Sequence, residues 1–307
     1  MRDKKIYKRN SKNECLISAD ELIDMLTNTR HGYGYYHLTR WSSLCKMMEP
    51  VAVPDDDLPH RMLHLGAAVN MNDESDKRCG KRVFFTSFSF GPPENISMWT
   101  NYGIPNEEAI RIKFPAHGIA RWLKDFQAGK IGVYGVDPDG SLKSLAAKAR
   151  LELVDVAYWS KKTVGKNSHD DNEGLFFYDY DKYRLTPRTD VEQLMDKKPY
   201  CFKEFGWNYE RETRLVLKFD EDLADRYKRV AVTFDYPLQF LDNSFSTYVW
   251  QGPWFGPNNM PESKASGHSL SEARPSLYKG KVKMRSVCDS CPEQDKKNCK
   301  CPFKGQR

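Results

Sequence analysis

Two glutamates, Glu210 and Glu212, have the spacing that acid–base chemistry needs. They precede an alternating apolar run that predicts a β-strand, and side chains two residues apart on a strand project from the same face. Neighbouring carboxylates raise one another's pKa, so one can hold a ligand hydroxyl while the other accepts a proton. The alternative is a solvent-facing strand with a ladder of Glu and Arg side chains. Taken without the other motifs, the two glutamates favour this alternative.

Polar side chains on two earlier predicted strands could line the same site. Tyr36, His37 and Thr39 belong to an aromatic run, and a histidine can donate to a ligand hydroxyl while a neighbour fixes its second nitrogen. Ser87 and Ser89 alternate with phenylalanines on a strongly β-prone run. Each residue also has an ordinary structural explanation: strand packing, a backbone partner for the imidazole, or hydroxyl bonds across the sheet.

Other residues offer weaker signals for chemistry. Trp99 and Tyr102 could stack on a planar ligand ring, although core packing is the commoner role. Asn72, Asp73 and Glu74 form an acidic loop that could bind a divalent cation. The sequence has no Gly-x-Gly-x-x-Gly fingerprint, P-loop, His-Glu-x-x-His motif or Gly-x-Ser-x-Gly elbow, which argues against a Rossmann dinucleotide site and against those hydrolase classes.

Four cysteines near the C-terminus have the spacing of metal ligands. Cys288, Cys291, Cys299 and Cys301 predict a small tetrahedral zinc site. Such a short segment can bury almost no core, so a structural metal would supply its folding free energy. The alternative is a set of free thiols at a frayed end. Eight cysteines without a secretory signal indicate thiols or metal ligands rather than disulfides, and hence a reducing cytoplasm.

Positive charge is concentrated at both ends of the 307-residue chain. Residues 1–14 form a basic arm with six Lys and Arg against two acids, and residues 279–307 form a basic tail with nine against three. Residues 15–256 are expected to fold as the main domain, followed by a linker over 257–278. Basic ends are typical of nucleic-acid binding, although solvated termini can have the same composition. No apolar run is long enough to span a bilayer, so no membrane partner is expected.

Predicted strands and helices alternate irregularly along the main domain. A capping pattern at Ser18 predicts a helix, and apolar periodicity predicts a short helix over 41–48 and another over 116–128. Strands are predicted over 35–38, 63–69, 83–90, 109–114, 151–158, 211–219 and 229–234. Because a steady β-α-β rhythm is missing, the order favours an α+β fold.

Four segments occur in an order that resembles a bacterial family of unknown function. They are Tyr36-His37-Leu38-Thr39, the loop Asn72-Asp73-Glu74, the strand Phe85–Ser89 followed by Trp99 and Tyr102, and the segment Tyr209–Arg214. The resemblance covers about residues 33–256. In the family's loop two residues separate Asn-Asp from the Glu, whereas in this chain Glu74 follows Asp73 directly. That family in turn resembles the ADP-ribosyltransferase superfamily, which has a His or Arg on its first strand, a Ser-x-Ser strand and a late Glu-x-Glu.

The resemblance implies split, mixed or antiparallel sheets with flanking helices and an enzyme that uses NAD as co-substrate. Glu212 would hold the ribose and Glu210 would assist, and the residues around NAD would be His37, Thr39, Tyr36, Ser87, Ser89, Trp99 and Tyr102. The product would be a mono-ADP-ribosylated macromolecule. The basic ends favour RNA or single-stranded DNA over protein as the acceptor.

Three further possibilities follow from the same residues. A toxin or phage-defence role, held in check by an antitoxin protein, is compatible with the transferase activity. A non-catalytic nucleic-acid-binding protein would explain the basic ends without NAD turnover. A metal-dependent nuclease would use Asp73, Glu74 and the late carboxylates and would need an added divalent cation.

Overall fold

The computed structural model describes most of the chain between Ser18 and Phe234. The described residues are 18–28, 34–40, 43, 46–47, 49–90, 98, 109–114, 116–145, 148–161, 173–176, 186–187, 190–234, 249–251 and 274–275. The basic arm, the cysteine-rich tail, Trp99 and Tyr102 lie outside them, so what the sequence predicts for those residues stays a prediction.

Short helices flank the sheets in this part of the chain. The α-helices are α1 (Ala19–Thr27), α2 (Glu74–Lys77), α3 (Ala116–Gln127) and α4 (Val191–Lys197), and the 3-10 helices are Ala68–Asn70, Pro199–Cys201 and Phe205–Glu210. Lys46 and Met47 are also helical. Ser18 caps α1 as its sequence pattern predicts, because its hydroxyl accepts the N–H of Glu21 at 3.1 Å.

Strands make up most of the regular structure among the described residues. They are β1 (Tyr35–Arg40), β2 (Val51–Val53), β3 (Asp56–His60), β4 (Met62–Ala67), β5 (Val83–Phe90), β6 (Ala109–Phe114), β7 (Val133–Val136), β8 (Leu142–Ser144), β9 (Ala149–Asp155), β10 (Ala157–Lys161), β11 (Glu173–Phe176), β12 (Thr186–Pro187), β13 (Phe202–Glu204), β14 (Glu212–Phe219), β15 (Arg229–Thr233), β16 (Val249–Gln251) and β17 (Arg274–Pro275).

The described strands form one large, mostly antiparallel sheet and two smaller ones. The large sheet has eleven strands in the order β17-β16-β6-β1-β5-β4-β15-β7-β8, and β14 pairs with β5 and β9 off this path. The second sheet has the order β12-β11-β10-β13, in which β10 and β13 are parallel, and β2 pairs with β3. Helices combined with mixed and antiparallel sheets make the fold α+β, as predicted.

Strand β5 creates a gap in the large sheet. One of its edges pairs with β14 from Val83 to Ser89. Its other edge pairs with β4 only at Phe84 and Phe85, and with β1 only at Ser89 and Phe90. The middle of that edge has no strand partner among the described residues, because β1 and β4 diverge from β5 there. The sheet therefore opens beside Ser87.

Apolar packing covers both faces of β5 and β14. On one face Phe84 and Phe88 join a cluster that includes Trp122 of α3. On the other face Phe85 and Val216 join the buried faces of α1 and α4. Polar side chains on these two strands are therefore surrounded by apolar core. An unpaired charge there would lower the stability of the fold by roughly several kcal/mol. Any charge there must find a partner.

Some elements differ from the sequence-based predictions. The loop predicted over 70–76 contains α2, whose N-cap is Asp73. The pair β7 and β8 and the helix α4 were not predicted, because these short elements carry little periodic signal. Within the predicted linker, Arg274–Pro275 form β17 beside β16.

Candidate functional site

A cavity of about 540 Å³ opens at the gap beside β5. This volume is within the usual range for small-molecule sites. Seven of the residues singled out from the sequence line it, from three separate parts of the chain: Tyr36, His37, Thr39, Ser87, Ser89, Glu210 and Glu212. Asn72 and Asp73 of the acidic loop line it as well. Trp99 and Tyr102 lie outside the described residues, although the neighbouring Met98 lines the wall.

Strand register explains how distant residues meet at this cavity. Ser89 is paired with Tyr36 on β1 and with Glu212 on β14, so the three residues form one row across the sheet. Directly opposite residues of antiparallel strands share a face. Two residues earlier on the same face, Ser87 is paired with Arg214. The hydroxyl of Ser87 donates to Glu212 Oε1, which fixes the carboxylate at the cavity wall.

Glu212 is fully buried and held by four donors. Its Oε1 accepts from Arg214 Nε at 2.8 Å as well as from Ser87, and its Oε2 accepts from Arg214 Nη2 at 3.1 Å and from Lys203 Nζ at 3.3 Å. Burial alone would raise the pKa of Glu212, but the charges of Arg214 and Lys203 outweigh it and hold the pKa at about 2. The carboxylate is therefore ionised at neutral pH.

Lys203 connects the two glutamates. Its Nζ lies 2.7 Å from Glu210 Oε2 and 3.3 Å from Glu212 Oε2, and it lies 4.7 Å from the centre of the Trp207 ring. Burial lowers the pKa of Lys203, but the two carboxylates more than compensate, so the net shift is upward. The lysine stays charged and keeps two buried carboxylates close together.

Glu210 and Glu212 do not lie on the same strand, so the alternation argument for their shared face was wrong. Glu210 ends the 3-10 helix Phe205–Glu210, and Glu212 begins β14. Arg211 between them has a φ of 47°, in the left-handed region that side chains other than glycine seldom occupy. This turn, rather than strand pleating, brings both carboxylates to the cavity. Such a conformation costs about 1–3 kcal/mol and is commonest at functional sites.

The acidic loop contributes through Asp76 and Asp73 rather than Glu74. Asp76 is buried, and its Oδ1 lies 2.7 Å from Arg214 Nη1 in an ion pair that is not aligned as a hydrogen bond. Burial raises the pKa of Asp76, and Arg214 opposes that shift. Glu74 is exposed and pairs with Lys77.

Asp73 presents an unsatisfied acceptor at the cavity wall. Its Oδ1 accepts the N–H of Ser75 at 2.9 Å and caps α2. Its Oδ2 is buried and has no hydrogen-bond partner among the described residues. A buried oxygen without a donor costs about 1–3 kcal/mol. A ligand N–H or O–H in the cavity would supply that donor.

His37 is oriented by the backbone of β5. Its Nδ1 lies 2.9 Å from the carbonyl oxygen of Ser87, and its ring packs edge-on against Phe88. Burial lowers the pKa of His37, with the bond to Ser87 opposing, so the ring is neutral at pH 7. A carbonyl can only accept, so Nδ1 carries the proton and Nε2 is an acceptor. Nε2 of His37 can therefore accept from a ligand hydroxyl but cannot donate to one, which differs from the donor role expected from the sequence.

Sequence reasoning missed Lys203, Asp76 and Arg214, which surround the two glutamates. A signal for Arg214 was present: an arginine inside an apolar strand needs a buried counter-charge, and Glu212 is two residues away. Lys203 follows an aromatic run and carries no periodic signal. Tyr158 was also missed; its hydroxyl accepts the N–H of Glu212 at 2.8 Å and anchors the start of β14.

Within the described ranges, no three His, Cys, Asp or Glu side chains are grouped so that they could hold a metal ion. The four tail cysteines lie outside those ranges. No helix of the described part is long and apolar enough to cross a membrane. Comparison of the chain with known protein families, curated proteins and solved structures finds no match.

Proposed function

We propose that this protein is an NAD-dependent mono-ADP-ribosyltransferase. The observation that carries the proposal is the meeting of Glu210, Glu212, Ser87, Ser89 and His37 around one cavity. These residues come from three segments that are far apart in sequence: β1, β5, and the 3-10 helix Phe205–Glu210 with the adjoining β14. Their motifs were selected from residue types and order alone, and unrelated surface positions would not be expected to meet in one pocket.

The charge of the cavity wall suits the chemistry. Breaking the bond between ribose and nicotinamide moves the bonding electron pair onto the pyridinium nitrogen and leaves positive charge at the anomeric carbon. Glu212 is ionised at neutral pH because Arg214 and Lys203 lower its pKa. A preorganised anion hydrogen-bonded to the ribose stabilises that charge, and one such contact is worth on the order of 3 kcal/mol.

Each side chain has a defined role in this proposal. A ribose hydroxyl takes the place of Ser87 at Glu212 Oε1, while Arg214 continues to hold the carboxylate. His37 Nε2 accepts a second hydroxyl. Glu210, on the far side of Lys203, accepts the proton that the attacking acceptor atom loses as its new bond to the anomeric carbon forms.

The acceptor that the sequence favours is RNA or single-stranded DNA. The basic arm over 1–14 and the basic tail over 279–307 carry an excess of positive charge, which favours binding to a phosphate backbone. A toxin or phage-defence role, with an antitoxin protein as partner, follows as an extension of this activity. The metal-dependent alternative gains no support from a ligand cluster in the described residues.

The proposal is tested by incubating the purified full chain with NAD labelled on its adenylate phosphate and with total RNA, DNA or protein. Label should enter one fraction and fall about 100-fold or more with Glu212→Gln. Ser87→Ala leaves the buried ion pairs intact and removes the hydroxyl that the ribose displaces, so this variant should stay folded and retain activity. Glu204→Gln, an exposed glutamate outside the cavity, is the matched control. Absence of both label transfer and nicotinamide release would overturn the proposal.

A further inference from the structure

Three basic side chains line another wall of the same cavity. They are Lys46, His64 on β4 and Arg229 on β15. β15 pairs with β4 so that Ala231 is opposite His64, which puts Arg229 and His64 on the same face as diagonal neighbours. None of the three was singled out from the sequence, where they are far apart and have no shared pattern.

Within the described part of the chain, no acidic side chain neutralises these three residues. Neither Lys46, His64 nor Arg229 forms a side-chain hydrogen bond or ion pair with the described residues. All three are exposed at the wall of the cavity. The pKa of His64 is lowered, first by partial desolvation of the ring at the cavity wall and then by the charges of Arg229 and Lys46, so the ring is neutral at pH 7 and can donate from one N–H. Mutual repulsion of this kind is unfavourable unless an anion binds between the groups.

The cavity thus has walls of opposite charge. Acidic side chains lie on β14 and the 3-10 helix before it, and the basic ones lie on β4, β15 and the helical segment at Lys46. A ligand that fits both walls has anionic groups at one end and hydrogen-bond donors or positive charge at the other. The concave shape and a volume of about 540 Å³ favour a small ligand over an extended backbone.

We propose that Lys46, His64 and Arg229 form an anion site that binds the diphosphate group of a dinucleotide. Phosphate oxygens accept hydrogen bonds from the lysine ammonium, the arginine guanidinium and one imidazole N–H. The anion site stands on the geometry of two cations, Lys46 and Arg229, and the imidazole of His64. The orientation of the ligand, with its diphosphate at the basic wall and its ribose at Glu212, rests on the proposed function.

The site is tested by calorimetric titration of the full chain with ADP-ribose, which keeps the diphosphate and lacks nicotinamide, and with inorganic pyrophosphate. Arg229→Gln and Lys46→Gln should each raise the Kd for ADP-ribose about tenfold, the effect of losing one charge-assisted hydrogen bond. Lys228→Gln is the matched control, since Lys228 is exposed beside Arg229 and does not line the cavity. A short single-stranded RNA is titrated in parallel.

The outcomes separate this inference from the transferase activity. Unchanged ADP-ribose affinity in both variants, an equal loss in Lys228→Gln, or no binding to the wild type would overturn the anion site. If the variants lose affinity for the RNA but not for ADP-ribose, the basic side chains would be assigned to nucleic-acid phosphates and the dinucleotide site would be overturned. Cation-dependent ADP-ribose binding without nicotinamide release would sustain the anion site and reject the transferase. If Arg229→Gln turns over NAD with an unchanged KM, the transferase activity would be sustained and the anion site rejected.

Discussion

Replacing Glu212 by Gln removes the negative charge at the centre of a buried network. The side chain is 1 % exposed and faces two cations, Arg214 and Lys203. The amide keeps the shape of the carboxylate but leaves the cations without their shared partner. We expect Glu212→Gln to lower the free energy of unfolding by about 3 kcal/mol at pH 7.

Two independent arguments give this magnitude. The pKa of Glu212 falls from 4.5 to about 2 on folding, and at about 1.4 kcal/mol per unit this corresponds to about 3 kcal/mol. Removing one partner of a buried ion pair costs about 3–5 kcal/mol in other proteins. Because the folded pKa is the lower one, this stabilisation is present above the unfolded pKa of 4.5 and is lost as pH falls towards 2.

Urea unfolding of the wild type and of Glu212→Gln, at pH 7 and at pH 3.5, measures both the size and the pH dependence of this effect. Linkage predicts that the difference between the two proteins shrinks from about 3 to about 2 kcal/mol over this interval. Glu204→Gln, which removes an exposed charge nearby, should change stability by less than about 0.5 kcal/mol. A difference below about 1 kcal/mol at pH 7, or one that grows as pH falls, would refute an ionised Glu212 in the folded state.

Three further predictions concern other parts of the chain. Asp73→Asn should keep the cap on α2 and the melting temperature but bind substrate more weakly. Asp73→Ala should bind substrate more weakly and also lose about 1 kcal/mol of stability, because the cap is lost. Equal substrate affinity in Asp73→Asn and the wild type would exclude a ligand contact at Oδ2. In a pH titration followed by NMR of the ring protons, the pKa of His37 should lie below its ordinary value of 6.5, because burial disfavours the charged ring. A midpoint at or above 6.5 would contradict the neutral, Nδ1-protonated form. Metal analysis of the purified full chain should find one zinc, lost when Cys288 and Cys291 are both replaced by Ser, and a metal-free wild type would reject the predicted zinc site.

Periodic elements and short polar motifs could be predicted from the sequence because their signals are local. The cap at Ser18 and the alternation over 83–90 each depend on a few adjacent residues. Order along the chain was enough to group Glu210 and Glu212 with Ser87 and His37 as candidates. The α+β class followed from the irregular succession of these elements.

Residues that act through long-range pairing could not be predicted in the same way. Asp76 meets Arg214 only because α2 packs beside the start of β14, and Lys203 reaches the two glutamates only because the chain turns at Arg211. A positive φ at an arginine has no sequence signature, since glycine is the usual residue there. The strand argument therefore placed Glu210 and Glu212 side by side, as the structure does, but through the wrong local structure.

The buried network is difficult to explain by stability alone. Apolar residues of similar volume would stabilise such a core as well as, or better than, buried ion pairs. Here Arg214 and Lys203 hold Glu212 and Glu210 at the wall of the cavity beside β5. The same wall also carries an unsatisfied oxygen at Asp73 and a left-handed Arg211. Unfavourable features that converge on one cavity are explained more easily by ligand binding than by stability, and they support the proposed site.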